Sequence, residues 1–254
     1  MDVRATYERT ERLIQTLFSS QVRTMILLSL LEKPMTLGEL EENLKYKTGT
    51  LYHRIKELKS EGQVVKKEGF YRLTKLGEKN TVNLKKIIEY LYVVEKYRNF
   101  FSKRGIDSIP SMLFSKIGEL ENSAIYREEV DPARPILFIS EIFKSSKENI
   151  FGITNVGTSK WADLFERKLD EGVKISIIVS EEVFRKIKEK SKLLEKKIEI
   201  KRMKNPNFML ILTENDFLFA LSKGGVLDLT NMIHSQDERA LSWGRMLFEH
   251  FWKN

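Results

Sequence analysis

An amphipathic helix followed directly by a β-hairpin is predicted for residues 47–73. Leu51, Ile55 and Leu58 follow the spacing i, i+4, i+7, which places them on one apolar stripe of a helix. Two short β-type runs come next, and the dipeptide EG between them predicts a two-residue hairpin turn. The opposite helix face carries Gly, Thr, Tyr, His and Lys, a composition that an ordinary solvated face does not favour. This face is therefore expected to contact something other than solvent.

Two more helices are predicted before this segment. An apolar run from position 22 indicates a helix of about 12 residues, which Pro34 prevents from continuing. Thr36 and Glu39 then form a capping-box pattern for a second helix, and Thr48 is the candidate N-cap of the third. Helix, helix, turn, helix and hairpin within residues 20–73 is the order of a winged helix-turn-helix.

The positive charge is concentrated in the same part of the chain. The 254 residues include 44 Lys and Arg against 36 Asp and Glu, a formal net charge of +8. Residues 1–44 have a net charge of −2, whereas the ten basic and four acidic residues of 45–80 give +6. Such an asymmetry is typical of a surface that contacts phosphates.

These patterns predict that the polar helix face enters a major groove of double-stranded DNA while the hairpin follows the flanking phosphates. Two alternatives stay open: the unit is a protein-protein interaction adaptor without specific DNA binding, or the basic helix is only a solvated surface. The predicted DNA contacts are Thr48, Gly49, Thr50, Tyr52, His53, Lys56, Lys66, Lys67 and Arg72.

Two stretches of this region resemble a known class of regulators. GTLYHRIKELKSEGQV is similar to the recognition helix of bacterial and archaeal winged-helix repressors. YRLTKLGEK resembles the end of their wing and the start of the next helix. The resemblance implies a sequence-specific, DNA-binding transcriptional regulator.

A long helix is predicted after the hairpin, because residues 78–104 contain no Pro and no Gly. Its apolar positions come close to heptad spacing, which is typical of a seam between helices. Such a helix either packs on its own chain or joins two chains, and we expect a homodimer. The predicted dimerisation residues are Leu84, Ile87, Leu91, Val94 and Phe101.

Strand and helix patterns alternate beyond residue 105, with one helix expected to begin at Pro110. This alternation favours an α/β sandwich with a largely central sheet. The predicted fold class is thus α+β. We expect a winged helix-turn-helix at residues 1–80, a linker and dimerisation helix at 81–104, and an α/β effector-sensing domain at 105–254.

The C-terminal part resembles a second family. GIDSIPSMLFSKIGELENSAIY and ALSWGRMLFEHFW look like the sensor domain of archaeal transcriptional regulators named after a regulator of methanogenesis. That resemblance implies a winged helix followed by an effector-binding domain. NFMLILTENDFLFALSKGGVLDLTN is similar to the core of the phospholipase D fold, but Asn207 and Met209 stand where that family has its catalytic His and Lys. We therefore expect no enzyme.

The stretch GITNVGTSKWADLF predicts a strand, a turn and a helix N-terminus, where free N–H groups favour a small anionic or polar ligand. Its glycine spacing approaches that of a P-loop, but Thr158 replaces the required Lys. The alternative is that Thr158 or Ser159 simply caps the helix. The predicted ligand-binding residues are Asn155, Gly157, Thr158, Ser159, Lys160 and Trp161.

Composition excludes several other classes of site. The chain has no Cys, which excludes disulfides, thiolate metal sites and Cys nucleophiles, and it has only three His. The N-terminus has no apolar signal core, and the longest apolar run, MILLSLL, is far shorter than the roughly 20 residues of a membrane span. We expect a cytoplasmic protein with no membrane partner and with neither cofactor nor metal.

Overall fold

The computed structural model describes residues 2–102, 105–190 and 193–253. It divides the chain into two units, Met1–Ile88 and Glu89–Asn254, with the boundary inside one helix. The first unit contains four helices, a hairpin and the start of a fifth helix. Their bounds are α1 Val3–Phe18, α2 Gln21–Glu32, α3 Leu37–Leu44, α4 Thr48–Ser60, β1 Val64–Lys67, β2 Phe70–Leu73 and α5 Lys75–Lys96.

Local signals explain the helix ends of the first unit. Thr36 and Glu39 form the predicted capping box at the start of α3, which confirms that prediction. The helix ends at Lys45, which adopts the left-handed conformation with φ of 58°. Helix α1 was not predicted from the sequence. Asp2 caps it by accepting a hydrogen bond from the Arg4 N–H.

The predicted apolar stripe of α4 forms part of the core of this unit. Leu51, Ile55 and Leu58 are all buried, together with residues of α2 and α3 such as Ile26 and Leu40. Because the stripe is occupied by these contacts, the opposite face of α4 is left on the surface. The winged helix-turn-helix order of elements is the one expected.

The second unit holds an eight-stranded sheet with helices on both faces. Strand order is β3-β10-β8-β7-β4-β5-β6, with β9 paired to β8, and only β4, β5 and β6 run parallel to one another. The bounds are α6 Arg98–Phe101, α7 Ser111–Phe114, β3 Ala124–Arg127, α8 Arg134–Ser145, β4 Asn149–Thr154, α9 Ser159–Asp170, β5 Lys174–Ser180, α10 Glu181–Lys190, β6 Glu199–Met203, β7 Phe208–Leu212, β8 Phe217–Lys223, β9 Val226–Leu227, β10 Asn231–Ser235 and α11 Glu238–Lys253.

Side chains of the sheet alternate between two cores. Ile153 and Leu210 belong to the core that includes Trp243 of α11. Ile177 and Met209 belong to the core that α8, α9 and α10 cover. This is the sandwich with a central sheet that the alternating pattern predicts, and the chain is α+β as expected.

Two helix predictions were wrong in extent. The expected single helix to residue 104 ends at Lys96, because the backbone of Tyr97 leaves the helical region (φ −108°, ψ 22°) before α6 begins. Tyr97 is buried and its hydroxyl donates a hydrogen bond to the Ser123 carbonyl, so tertiary contacts set this break. Residues 103 and 104 lie outside the described residues. The helix expected at Pro110 is the four-residue α7, followed by a 3-10 turn at Ile117–Leu120.

Within the described part of the chain, no single helix is long and apolar enough to cross a membrane. The pair α1 and α2, bent by 75°, satisfies the length and composition criteria only when the two helices are taken together.

Candidate nucleic-acid interface and ligand site

The exposed face of α4 is free of carboxylates. The helix is described in full, and its exposed residues are Thr48, Gly49, Thr50, Tyr52, His53, Lys56, Lys59 and Ser60. Six of the nine predicted DNA contacts lie in this set. A Cβ atom at Gly49 would meet no other atom within 4 Å, so the surface is open there. Nothing on this face repels a polyanion electrostatically.

The acidic residues near α4 are turned to partners within the unit. Glu57 accepts hydrogen bonds from Arg23 at 2.6 Å and Arg54 at 2.7 Å, and lies 3.1 Å from the His53 ring. Burial alone raises the pKa of Glu57, but the hydrogen bond from Arg23 and the charges of Arg54 and Arg23 outweigh it and hold the pKa below its ordinary value. Glu61 accepts a hydrogen bond from Arg12 of α1.

Thr48 is not the N-cap of α4, contrary to the prediction. Lys47 occupies that position without a side-chain cap, and Thr48 is the first helical residue. The Thr48 hydroxyl and N–H both donate to the carboxylate of Glu41 in α3. This contact between α3 and α4 competes with the capping role, because the hydroxyl is already engaged.

The hairpin directs its cations to two different faces. In the register of β1 and β2, Lys66 lies opposite Tyr71, and its ammonium is 5.2 Å from the centre of the Tyr71 ring. Lys67 is one residue further along β1, so its side chain points to the other face, which it shares with Arg72. Arg72 is half-buried, and its Nε atom is buried without a hydrogen-bond partner in the described structure.

Three more exposed lysines lie beside the predicted contacts. Lys45 and Lys47 flank the turn before α4, and Lys59 lies in its last turn. They are not among the DNA contacts predicted from the sequence. The signal that identifies them is the +6 charge of residues 45–80, to which all three contribute.

The predicted dimerisation residues do not share one environment. Leu84 and Phe101 are buried in the cores of the first and second unit, respectively, so their assignment to a seam is corrected. Val94 is half-buried against the second core. Ile87 and Leu91 of α5 are exposed by 44% and 56%, and they remain available to a second chain.

Four of the six predicted ligand residues line a cavity on the α9 side of the sheet. Gly157, Thr158, Ser159 and Trp161 line this cavity, whereas Asn155 and Lys160 do not. The Thr158 hydroxyl accepts a hydrogen bond from the Trp161 N–H at 3.2 Å and caps α9, which is the alternative left open by the sequence.

Metal ligation finds no support in the part of the chain that is described. No group of three or more His, Asp or Glu side chains is placed there so that it could hold an ion. His234 contacts the carboxylate of Asp216 at 2.9 Å, but these two residues alone do not make such a group.

Comparison with known proteins gives two matching family models. The model described as the N-terminal domain of methanogenesis regulatory protein FilR1 matches residues 11–92. The model of the FilR1 middle domain matches residues 132–254.

One similar curated protein is methanogenesis regulatory protein FilR1 of Methanothrix harundinacea (strain 6Ac). It is 23% identical over 253 residues, which cover 94% of this chain and 56% of the relative. The chain therefore spans about half the length of this relative.

Three solved structures show low similarity. An archaeal chromatin protein, TrmBL2, described with a novel mode of DNA binding, has a TM-score of 0.44 and 16% identity over 98% of both chains. PigF with SAH has a TM-score of 0.25 and 12% identity over 80% of this chain and 66% of its own. The dimethyltransferase RosA of Streptomyces davawensis has a TM-score of 0.28 and 11% identity over 80% and 67%. These TM-scores are too low to establish a common fold.

The two FilR1 models match the chain in order and together take up most of its length. Each model alone matches less than half of the chain, so the finding is a similarity to the N-terminal and middle domains of FilR1 in the same order.

Proposed function

We propose that this protein is a transcriptional regulator that binds double-stranded DNA through α4 and the β1–β2 hairpin. The observation that carries the proposal is the exposed face of α4, which has Tyr, His, Lys and small residues but no carboxylate. Glu57 and Glu61 of the same region are paired with arginines. The Glu41 carboxylate accepts hydrogen bonds from Thr48. Similarity to the N-terminal and middle domains of a regulatory protein supports the same function.

The chemistry of the two elements suggests a division of roles. Tyr52, His53 and Lys56 carry donors and acceptors on an open helix face, which is what reading base edges in a major groove requires. Lys66, Lys67 and Arg72 carry positive charge on the hairpin beside α4, so they are assigned to the flanking phosphates. Base contacts would decide sequence preference, and phosphate contacts would decide affinity and its dependence on salt.

Homodimerisation and ligand control complete the proposal. Ile87 and Leu91 are apolar and exposed on α5, which supports contact with a second copy. A dimer would place two winged helices on two half-sites and raise affinity through their linkage. The cavity beside α9 supports control by a small molecule bound in the second unit.

The test is a selection of bound sites from a random-sequence duplex library, followed by anisotropy titrations at several salt concentrations. We expect the wild type to enrich a defined motif and the K56A variant to enrich a different or degenerate one. K144A is the matched control, since Lys144 is an exposed lysine of α8 that pairs with Glu141. It should enrich the wild-type motif.

The same experiment separates this function from the alternative of a winged-helix protein-protein adaptor. An adaptor would enrich no motif and would show no salt-dependent affinity for duplex DNA. That result for the wild type would refute the proposed function.

A further inference from the structure

We infer that the cavity between the sheet and helices α8, α9 and α10 binds a small, uncharged, predominantly apolar molecule. This inference deepens the ligand control proposed above and rests on it for its regulatory consequence. The predicted anionic or polar ligand is thereby replaced by a different chemical class. Three observations lead to this class: the volume and lining of the cavity, a glycine in its floor, and the state of the polar groups around it.

The cavity has a volume of about 230 Å³. Its walls are aromatic and aliphatic, with Phe143, Trp161, Phe165, Ile177, Val183 and Met209 among the residues that line it. A dry apolar cavity of about 150 Å³ is large enough to bind benzene. The larger space here suits a molecule of one or two rings, or a short branched aliphatic compound. Water gains little in such a site because few polar partners are within reach.

A glycine in the floor of the sheet creates part of this space. Gly152 lies in the middle of β4, between Ile177 of β5 and Ile211 of β7 in the strand register, and all three residues line the cavity. A Cβ atom at Gly152 would lie 3.4 Å from the Ile177 Cγ2 atom and 3.8 Å from the Leu210 carbonyl oxygen. These are ordinary contact distances, so a Cβ atom would fit there, and a longer side chain would extend into the cavity that Gly152 lines. Glycine inside a buried strand weakens the strand and often marks a close approach by a ligand.

Three of the polar side chains that line the cavity are already engaged within the chain, while a further one, Ser159, is exposed to solvent. The Trp161 indole N–H donates to the Ser140 hydroxyl at 3.0 Å, so the ring offers only its apolar surface. The Thr154 hydroxyl donates to the Val156 carbonyl and accepts from the Val156 N–H, and the Thr158 hydroxyl caps α9.

Among the described residues of the lining, Lys186 is the one cation, and it pairs with Glu182 at 2.6 Å. A charged ligand would have to displace this ion pair or lose its hydration without compensation. An uncharged apolar ligand leaves the ion pair intact and has little hydration to lose. Burial of its apolar surface against the aromatic walls is favourable.

The inference is tested on the full chain with toluene and indole as probes and with benzoate as the charged comparator. Binding is measured by isothermal titration calorimetry and by the shift of the unfolding temperature. We expect both uncharged probes to bind and to raise the unfolding temperature. Benzoate should bind at least tenfold more weakly, because its carboxylate is not paired in the cavity. Failure of both uncharged probes to bind, or tighter binding of benzoate, overturns the inference.

Two variants fill the cavity from opposite walls. G152V places a side chain on the floor, and A162L lengthens a residue of α9 that lines the cavity. We expect each to weaken toluene and indole binding at least tenfold. G38A is the control, because Gly38 lies in α3 and a Cβ atom there meets nothing within 4 Å. Unchanged probe binding in a folded G152V or A162L variant places the probes elsewhere and overturns the inference.

Failure of this inference is distinguishable from failure of the proposed function. DNA affinity of the chain without any probe depends on α4 and the hairpin, and it is measured separately. A chain that binds DNA but neither uncharged probe contradicts only the inference about the cavity. A chain that binds the probes but no DNA contradicts only the proposed function.

Discussion

Arg23 in α2 donates a hydrogen bond from Nη1 to the Glu57 Oε2 atom in α4, at a distance of 2.6 Å. Arg23 also donates to the carbonyl oxygens of Gln15 and Thr16 at the end of α1. One guanidinium thus links three helices of the first unit. It also pairs the negative charge of Glu57 with a cation inside the unit, so the same contact contributes both to stability and to the charge balance beside the exposed face of α4.

We predict that the E57Q variant destabilises the first unit at neutral pH by about 1 kcal/mol, because the pair is still partly hydrated. The pKa of Glu57 is lowered in the folded state, so its stabilisation is present above the ordinary pKa of about 4.5 and is lost as the pH falls through the folded pKa. The difference between wild type and E57Q should therefore shrink below about pH 4.5. Urea titrations read by hydrogen exchange of α2 and α4 measure it, and an equal difference at pH 7 and pH 3 would contradict the assignment.

A second prediction concerns the two faces of the hairpin. We expect K67A to weaken binding to random duplex DNA and to reduce the slope of log affinity against log salt by about 1. K66A should have a smaller effect, because the Lys66 ammonium is held near the Tyr71 ring on the opposite face. Anisotropy titrations at four or more salt concentrations compare the two slopes. Equal losses of DNA affinity in K66A and K67A would contradict the prediction that the two faces of the hairpin contact DNA differently.

A third prediction concerns the hairpin turn. Glu68 and Gly69 have φ values of 55° and 83°, and the left-handed region is unfavourable for Glu. Asn tolerates that region better, so E68N should stabilise the hairpin by about 0.5 kcal/mol. The control E68Q removes the same charge without relieving the backbone. Both variants should bind DNA more tightly at low salt, but only E68N should slow hydrogen exchange of β1 and β2.

The fourth prediction tests the proposed dimer. The variant I87K/L91K places two positive charges on the exposed part of α5 that is proposed to contact the second chain. Because burying these charges in an apolar contact is unfavourable, light scattering should show monomers. DNA affinity should fall as well, since two half-sites would no longer be bound together. A variant with the buried Leu84 changed, L84A, is the control: it should lower stability and leave the dimer intact. If I87K/L91K remains dimeric, the interface lies on another surface and the prediction is wrong.

The sequence was sufficient for most of the elements and for the exposed face of α4. Leu51, Ile55 and Leu58 have a helical period that needs no knowledge of their partners, and the Thr36–Glu39 capping box is a contact between near neighbours. The left-handed turn at Glu68 and Gly69 follows from the same local logic. Such features depend on residues three or four positions apart, so the chain encodes them locally.

Contacts between distant residues were decided only in the tertiary structure. The heptad-like spacing of residues 84–101 does not reveal that Leu84 and Phe101 are buried in their own chain while Leu91 is exposed, because periodicity identifies a face and not its partner. The break at Tyr97 depends on Ser123, 26 residues away. The apolar cavity depends on strands and helices brought together across the sheet, with Gly152 leaving space that no local pattern records. Packing joins residues far apart in sequence, and for that reason the apolar ligand class is inferred from the fold of the second unit and not from the turn motif.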